Sequence, residues 1–170
     1  MSNSELTNIK IIQVNLEPNK KPQKSNQEQN PHEEKEINMR KIATQWEFSD
    51  EELSDANQWQ ILCLINTEMS NDTDIVKQVR QQINYKINGY KGQDIKKLLY
   101  DPTLFINYDY VVSLLHQKQM RCFYCKEQTK LLYNAVRESK QWTLDRIDNS
   151  VGHNRGNVEI ACLICNLRRR

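Results

Sequence analysis

Cys122-Phe123-Tyr124-Cys125 and Cys162-Leu163-Ile164-Cys165-Asn166 decide the fold, with residues 126–161 between them. A Cys-x-x-Cys turn brings two sulfurs to one ion without straining the backbone, and zinc accepts four thiolates tetrahedrally. Two such turns pin the start of a helix to an earlier knuckle, which a segment with a thin core needs. Structural zinc binding contributes on the order of 10–16 kcal/mol, enough to make folding depend on the metal. A redox dithiol is the competing reading, but two pairs with no surrounding βαβ pattern argue against it. Inside the frame lie Asp145, Asp148, His153 and Asn157, and Asn166 follows the last cysteine directly. These oxygen and nitrogen groups suit a second, catalytic cation better than a structural one.

Outward from the cysteines, Gln141-Trp142-Thr143-Leu144-Asp145-Arg146 alternates large apolar with polar residues, as one strand of a hairpin does. Asn149 to Gly156 is rich in turn formers, and Asn157-Val158-Glu159-Ile160-Ala161 alternates again and leads into Cys162. Trp142, Leu144, Val158 and Ile160 are the expected core of this hairpin. A final helix begins after Cys162, with Asn166 on its first turn. So short a helix is marginal alone, so zinc, the preceding helices or a protein partner must hold it.

Taken together, Cys122-x-x-Cys125, Leu144-Asp145-Arg146-Ile147-Asp148, Gly152-His153, Asn157-Val158 and Cys162-x-x-Cys165-Asn166 resemble the HNH endonucleases. These are ββα-metal, treble-clef nucleases, including the recombination endonuclease VII type. The resemblance covers about residues 120–170. It implies that Asp145 and Asn166 coordinate a divalent ion such as Mg²⁺ or Mn²⁺, and that Asn157 braces the loop through backbone hydrogen bonds. It further implies cleavage of phosphodiesters, with 5′-phosphate and 3′-hydroxyl products.

One position departs from the pattern. The family usually has His directly after the first Asp, as the base that activates water, and this chain has Arg146. Guanidinium cannot accept a proton near neutral pH, though it can clamp a phosphate oxygen. Two residues remain as candidate bases. His153 has an imidazole that titrates in the useful range. Asp148 lies three after Asp145, where a related group of ββα-metal nucleases carries its catalytic His. Loss of a positioned base typically costs about 10²–10⁴ in rate, so a non-catalytic nucleic-acid-binding or assembly module is the alternative function.

The formal charge of +2 conceals an asymmetry: residues 1–60 hold 7 Lys/Arg against 11 Asp/Glu, and residues 61–170 hold 17 against 11. A basic second half suits a polyanion, and Arg155, Arg168, Arg169 and Arg170 are the expected nucleic-acid contacts. DNA is the expected partner, with no base-edge code to read. No apolar run approaches a membrane span and no basic-then-apolar segment opens the chain. An intracellular, reducing setting is therefore expected, where paired cysteines bind metal rather than form disulfides. Cys63, in Trp59-Gln60-Ile61-Leu62-Cys63-Leu64-Ile65, reads as a small buried hydrophobe.

Upstream of the cysteines, Asn19 to Lys41 is almost entirely polar, with Ile37 and Met39 its only large apolar residues. Residues 1–44 are therefore expected to form a mobile leader. Ile12, Val14 and Leu16 alternate within it and offer a strand that a partner protein can dock. Residues 45–119 read as a small helical region. Ser49-Asp50-Glu51-Glu52 fits a capping box for a helix from about Asp50 to Glu68. Ile75, Val79, Ile83 and Ile87 recur every four residues in a second helix that Gly89 is expected to stop. A short piece, Gln93 to Tyr100, ends before Pro102. Asn107 caps a last helix with Tyr108, Val111, Val112 and Leu115 inward; His116 lies on it, partly exposed. The expected class is α+β: a helical N-terminal region followed by a zinc-stabilised ββα-metal (treble-clef) module over residues 120–170.

Overall fold

The computed structural model of the chain describes residues 48–67 and 73–169, all within one compact unit. The expectations placed on residues 1–47 and on Arg170 lie outside the described residues. The order is α1 (Asp55–Asn66), α2 (Asp74–Lys96), α3 (Tyr108–Gln117), β1 (Trp142–Arg146), β2 (Val158–Cys162) and α4 (Leu163–Arg168). The class is α+β, and no helix among the described residues is long and apolar enough to cross a membrane.

The capping box forms, but one turn ahead of its helix. Ser49 N donates to Glu52 Oε2 at 2.8 Å and Glu52 N to Ser49 Oγ at 3.2 Å. The helix itself starts later, at Ser54, whose Oγ accepts from Asn57 N at 3.3 Å. Half-buried Cys63 sits on its flank.

The expected stop at Gly89 is wrong. α2 runs 23 residues, straight through Gly89 and Gly92. Each glycine costs a helix roughly 1 kcal/mol relative to alanine. That is too little to break a helix whose inner face continues past Ile83 and Ile87 to buried Asp94. The real terminator is Leu98, held at φ 58°. Leu99 N donates to Asp94 O at 2.9 Å and Leu98 N to Ile95 O at 3.1 Å, the paired bonds of a Schellman cap. The segment from Gln93 is thus the end of α2, not a separate helix.

α3 begins where expected, with Asn107 Oδ1 accepting from Tyr110 N at 3.1 Å. It ends in a second Schellman cap, Met120 N to Leu115 O at 2.8 Å and Gln119 N to His116 O at 2.9 Å, with Gln119 at φ 52°. The turn delivers the chain directly to Cys122.

β1 and β2 pair antiparallel with Leu144 opposite Ile160 and Asp145 opposite Glu159. Trp142, Leu144, Val158 and Ile160 are all buried, in one core with Leu62, Val79, Ile83, Val111 and Leu115. Each such burial is worth about 1.5–3 kcal/mol, and the helices and hairpin share that stabilisation. Buried Gln58 of α1 joins them further: its Oε1 accepts from Leu131 N at 2.7 Å and Leu132 N at 2.9 Å. The other face of β1 is also covered, because α4 packs on both strands. Thr143 and Asp145 are therefore buried as well.

Candidate metal centre and adjoining cleft

The four sulfurs converge from three places: the knuckle after α3 (Cys122, Cys125), the end of β2 (Cys162) and α4 (Cys165). All lie within 4.8 Å of one another, and they form the one such cluster among the described residues. Cys125 and Cys162 are 3.8 Å apart; four arms of about 2.3 Å around zinc set sulfurs roughly 3.8 Å apart. The knuckle is closed by Lys126 N donating to Cys122 O at 3.0 Å, with Lys126 at φ 62°. Phe123 N then donates to Ile160 O at 2.7 Å, tying knuckle to hairpin. Burial pushes the Cys122 thiol up, but N–H groups of Cys162, Cys125 and Tyr124 outweigh it and bring it to about 7. Burial and the neighbouring sulfurs push Cys165 the other way. A cation relieves that mutual repulsion, and the cluster fits a structural metal such as zinc.

Beside this cluster is a cleft of about 730 Å³, walled by α2, β1, the inter-strand loop and α4. Tyr90, Asp145, Arg146, His153, Asn166 and Arg169 line it. Asp145 Oδ2 accepts from Tyr124 OH at 2.5 Å and from Arg169 Nη1 at 2.7 Å. Arg169 also donates to the carbonyls of Arg146 at 2.5 Å and Ile147 at 3.1 Å. Burial and the Asp145 bond push the Tyr124 hydroxyl up to about 12, so it stays a donor. Asn166 Nδ2 donates to Thr143 Oγ1 at 3.0 Å and to Leu144 O at 3.3 Å, the carbonyl that precedes Asp145. With Nδ2 held on the strand, the amide oxygen is the end turned from it.

His153 is buried, its Nδ1 2.8 Å from Asp94 Oδ1 and its backbone N donating to Asp94 Oδ2 at 2.7 Å. Burial lowers its pKa; the Asp94 bond and charge oppose this, and the charges of Arg146 and Lys97 add to the lowering. The lowering favours the neutral ring over the imidazolium. Arg146 is buried too, with Nη1 donating to Asn149 O at 3.3 Å and Val151 O at 3.0 Å. That guanidinium nitrogen braces the loop. Asn157 does the same from the far side: Oδ1 accepts from Asp148 N at 2.9 Å, and Nδ2 donates to Asp148 O and Gly152 O, each at 3.0 Å.

Other expected residues stay outside the cleft. Asp148 is exposed, and its Oδ1 accepts from Ser150 N at 2.8 Å and Ser150 Oγ at 2.7 Å. The Ser150 hydroxyl and backbone hold this carboxyl below the usual carboxylate range, which weakens it further as a base. Arg155 and Arg168 are exposed and do not line the cleft. Of the four arginines expected at a phosphate, Arg169 alone among the described residues lies there.

Three residues escaped the sequence reading. Tyr124 was hidden between ligands. Tyr90 and Asp94 are four apart on one face of α2, and stopping the helix at Gly89 erased that relation. No family model, curated protein or solved structure matches this chain.

Proposed function

We propose that this chain is a divalent-metal-dependent endonuclease of the HNH, treble-clef type, acting on nucleic-acid phosphodiesters and on DNA first among them. One observation carries the reading: Asp145, Asn166 and His153, drawn from a strand, a helix and a loop, line a single cleft with two arginines. The donor set fits a small hard cation. One carboxylate and one amide oxygen leave room for waters and phosphate oxygens, as Mg²⁺ prefers. Such an ion would polarise the phosphate and stabilise charge on the leaving oxygen.

The chain's own groups supply the rest. His153, neutral and buried, accepts the proton of the attacking water through the ring nitrogen not turned to Asp94. Arg169, paired with Asp145, and Tyr124 are both bonded to Asp145 Oδ2, so they are the groups a cation at that oxygen must displace. The Arg169 guanidinium, once it also leaves the carbonyls of Arg146 and Ile147, would be able to meet two phosphate oxygens in parallel bonds.

The same pair favours the second reading, a non-catalytic nucleic-acid-binding module. Asp145 is already neutralised by Arg169, and Arg146, at the usual position of the base, is bonded to its own loop. Incubation of the zinc-loaded chain with supercoiled plasmid and Mg²⁺ or Mn²⁺, beside Asp145→Ala, separates the two. Nicking by the first and not the second supports the nuclease. Binding without cleavage across metals and pH supports the module.

A further inference from the structure

The inter-strand loop is gripped by a helix far from it in sequence. Asp94 is fully buried at the end of α2, and both its oxygens are engaged by one residue, His153. One turn earlier on the same helix, Tyr90 stacks on the His153 ring with centroids 4.5 Å apart. Tyr90 OH accepts from Leu144 N at 2.9 Å, so the tyrosine is fixed to the strand that carries Asp145. Burial pushes its hydroxyl well above its ordinary value. Gly152 makes the close approach possible, since a Cβ there would lie 2.8 Å from Asp94 Oδ2.

We propose that Asp94 is a positioning residue that fixes the tautomer and orientation of His153, with Tyr90 supporting the ring, so that Nε2 carries the lone pair used on the water. This rests on the nuclease reading and extends the site to α2. A carboxylate only accepts hydrogen bonds. Oδ2 is occupied by a backbone N–H, and Oδ1 faces the ring, so Nδ1 must carry the hydrogen. Nε2 is then bare. The charged or titratable groups acting on the ring are Asp94 and Tyr90 of α2, Lys97 at its C-cap, and Arg146 of β1.

The same reasoning predicts the effect of Asp94→Asn. The amide oxygen stays on the backbone N–H, which cannot change character, and the amide nitrogen donates to Nδ1. The proton then moves to Nε2, and the base is blocked.

The test is long-range ¹H–¹⁵N NMR of the zinc-loaded full chain, read together with plasmid-nicking kinetics. Wild type should show the Nδ1–H tautomer at neutral pH. Asp94→Asn should show Nε2–H, with kcat down by roughly 10²–10⁴ and KM little changed. An Nε2–H tautomer in wild type overturns the proposal, and that spectrum needs no variant to fold. A flipped tautomer with kcat retained also overturns it, while leaving the nuclease reading intact. If wild type nicks nothing, the nuclease reading fails and the catalytic role of Asp94 fails with it. The tautomer then reports separately whether the grip itself is real.

Discussion

Replacing Gly152 with alanine tests the junction between α2 and the loop with a single carbon. The added Cβ would lie 2.5 Å from Leu99 O and 2.8 Å from Asp94 Oδ2, where ordinary contact begins at 3.4 Å. Neither neighbour can yield cheaply. Leu99 is the residue that closes the Schellman cap of α2, and Asp94 is buried with both oxygens in use. Overpacking of this kind costs about 1–3 kcal/mol. Losing a charge-assisted bond such as His153 N to Asp94 adds about 1.5–3 kcal/mol if the loop is pushed off. The two are alternatives in part, since moving the loop relieves the clash, so a net loss of about 2–4 kcal/mol is expected. Urea unfolding of the zinc-loaded chain measures it, with the m-value checking that the unfolded reference has not changed. The His153 ring resonances should shift in the same variant. A loss under about 0.5 kcal/mol, the ordinary range for a surface substitution, would refute the claim that the helix end and the loop are in forced contact.

Other consequences follow from separate parts of the fold. Stripping metal with a strong chelator should abolish cooperative unfolding, and elemental analysis should find zinc in the untreated chain; a chelated protein with an unchanged melting curve would rule out the cluster as a folding element. Gln58→Ala leaves the buried N–H groups of Leu131 and Leu132 without their acceptor, and should cost about 2–6 kcal/mol by urea unfolding at 1–3 per orphaned group. Leu98→Gly should stabilise the chain by about 0.5–1 kcal/mol: Leu98 is 93 % exposed at φ 58°, so glycine removes the left-handed penalty of about 1–2 kcal/mol at a smaller entropic loss. A fall in melting temperature in that variant would contradict the cap assigned to α2.

What could be read in the sequence was local. The cysteine spacing, the two alternating strands and the Asn107 cap depend on residues within a few positions of one another, and each appears where expected. The Asn157 brace also closes over a short span, from Asp148 to Gly152. The second helix was misread because glycine is a weak stop when the buried face continues beyond it. A helix that ends at Gly89 has no four-residue step from Tyr90 to Asp94, and so no support for His153. Asp148 differs for a local reason: Ser150, two residues on, offers a turn that takes its carboxylate, and the spacing from Asp145 does not reveal it.

β1 shows why neither half of the described chain makes the site without the other. Two strands of five residues are marginal as an isolated hairpin, so their geometry must be imposed from outside. On one side, Trp142 and Leu144 are buried against the helices, and Tyr90 receives the Leu144 N–H. On the other, Asn166 bonds to Thr143 and Leu144, and Tyr124, from between Cys122 and Cys125, bonds to Asp145. The strand is thus addressed from α2 on one face and from the elements that carry the four cysteines on the other. Asp145 belongs to the second set of supports and His153 to the first. The distance between acid and imidazole is therefore set by how the two supports sit on one strand. Loosening the sulfur cluster should displace Asp145 and Asn166 while leaving the Asp94–His153 contact in place. Loosening the end of α2 should do the reverse.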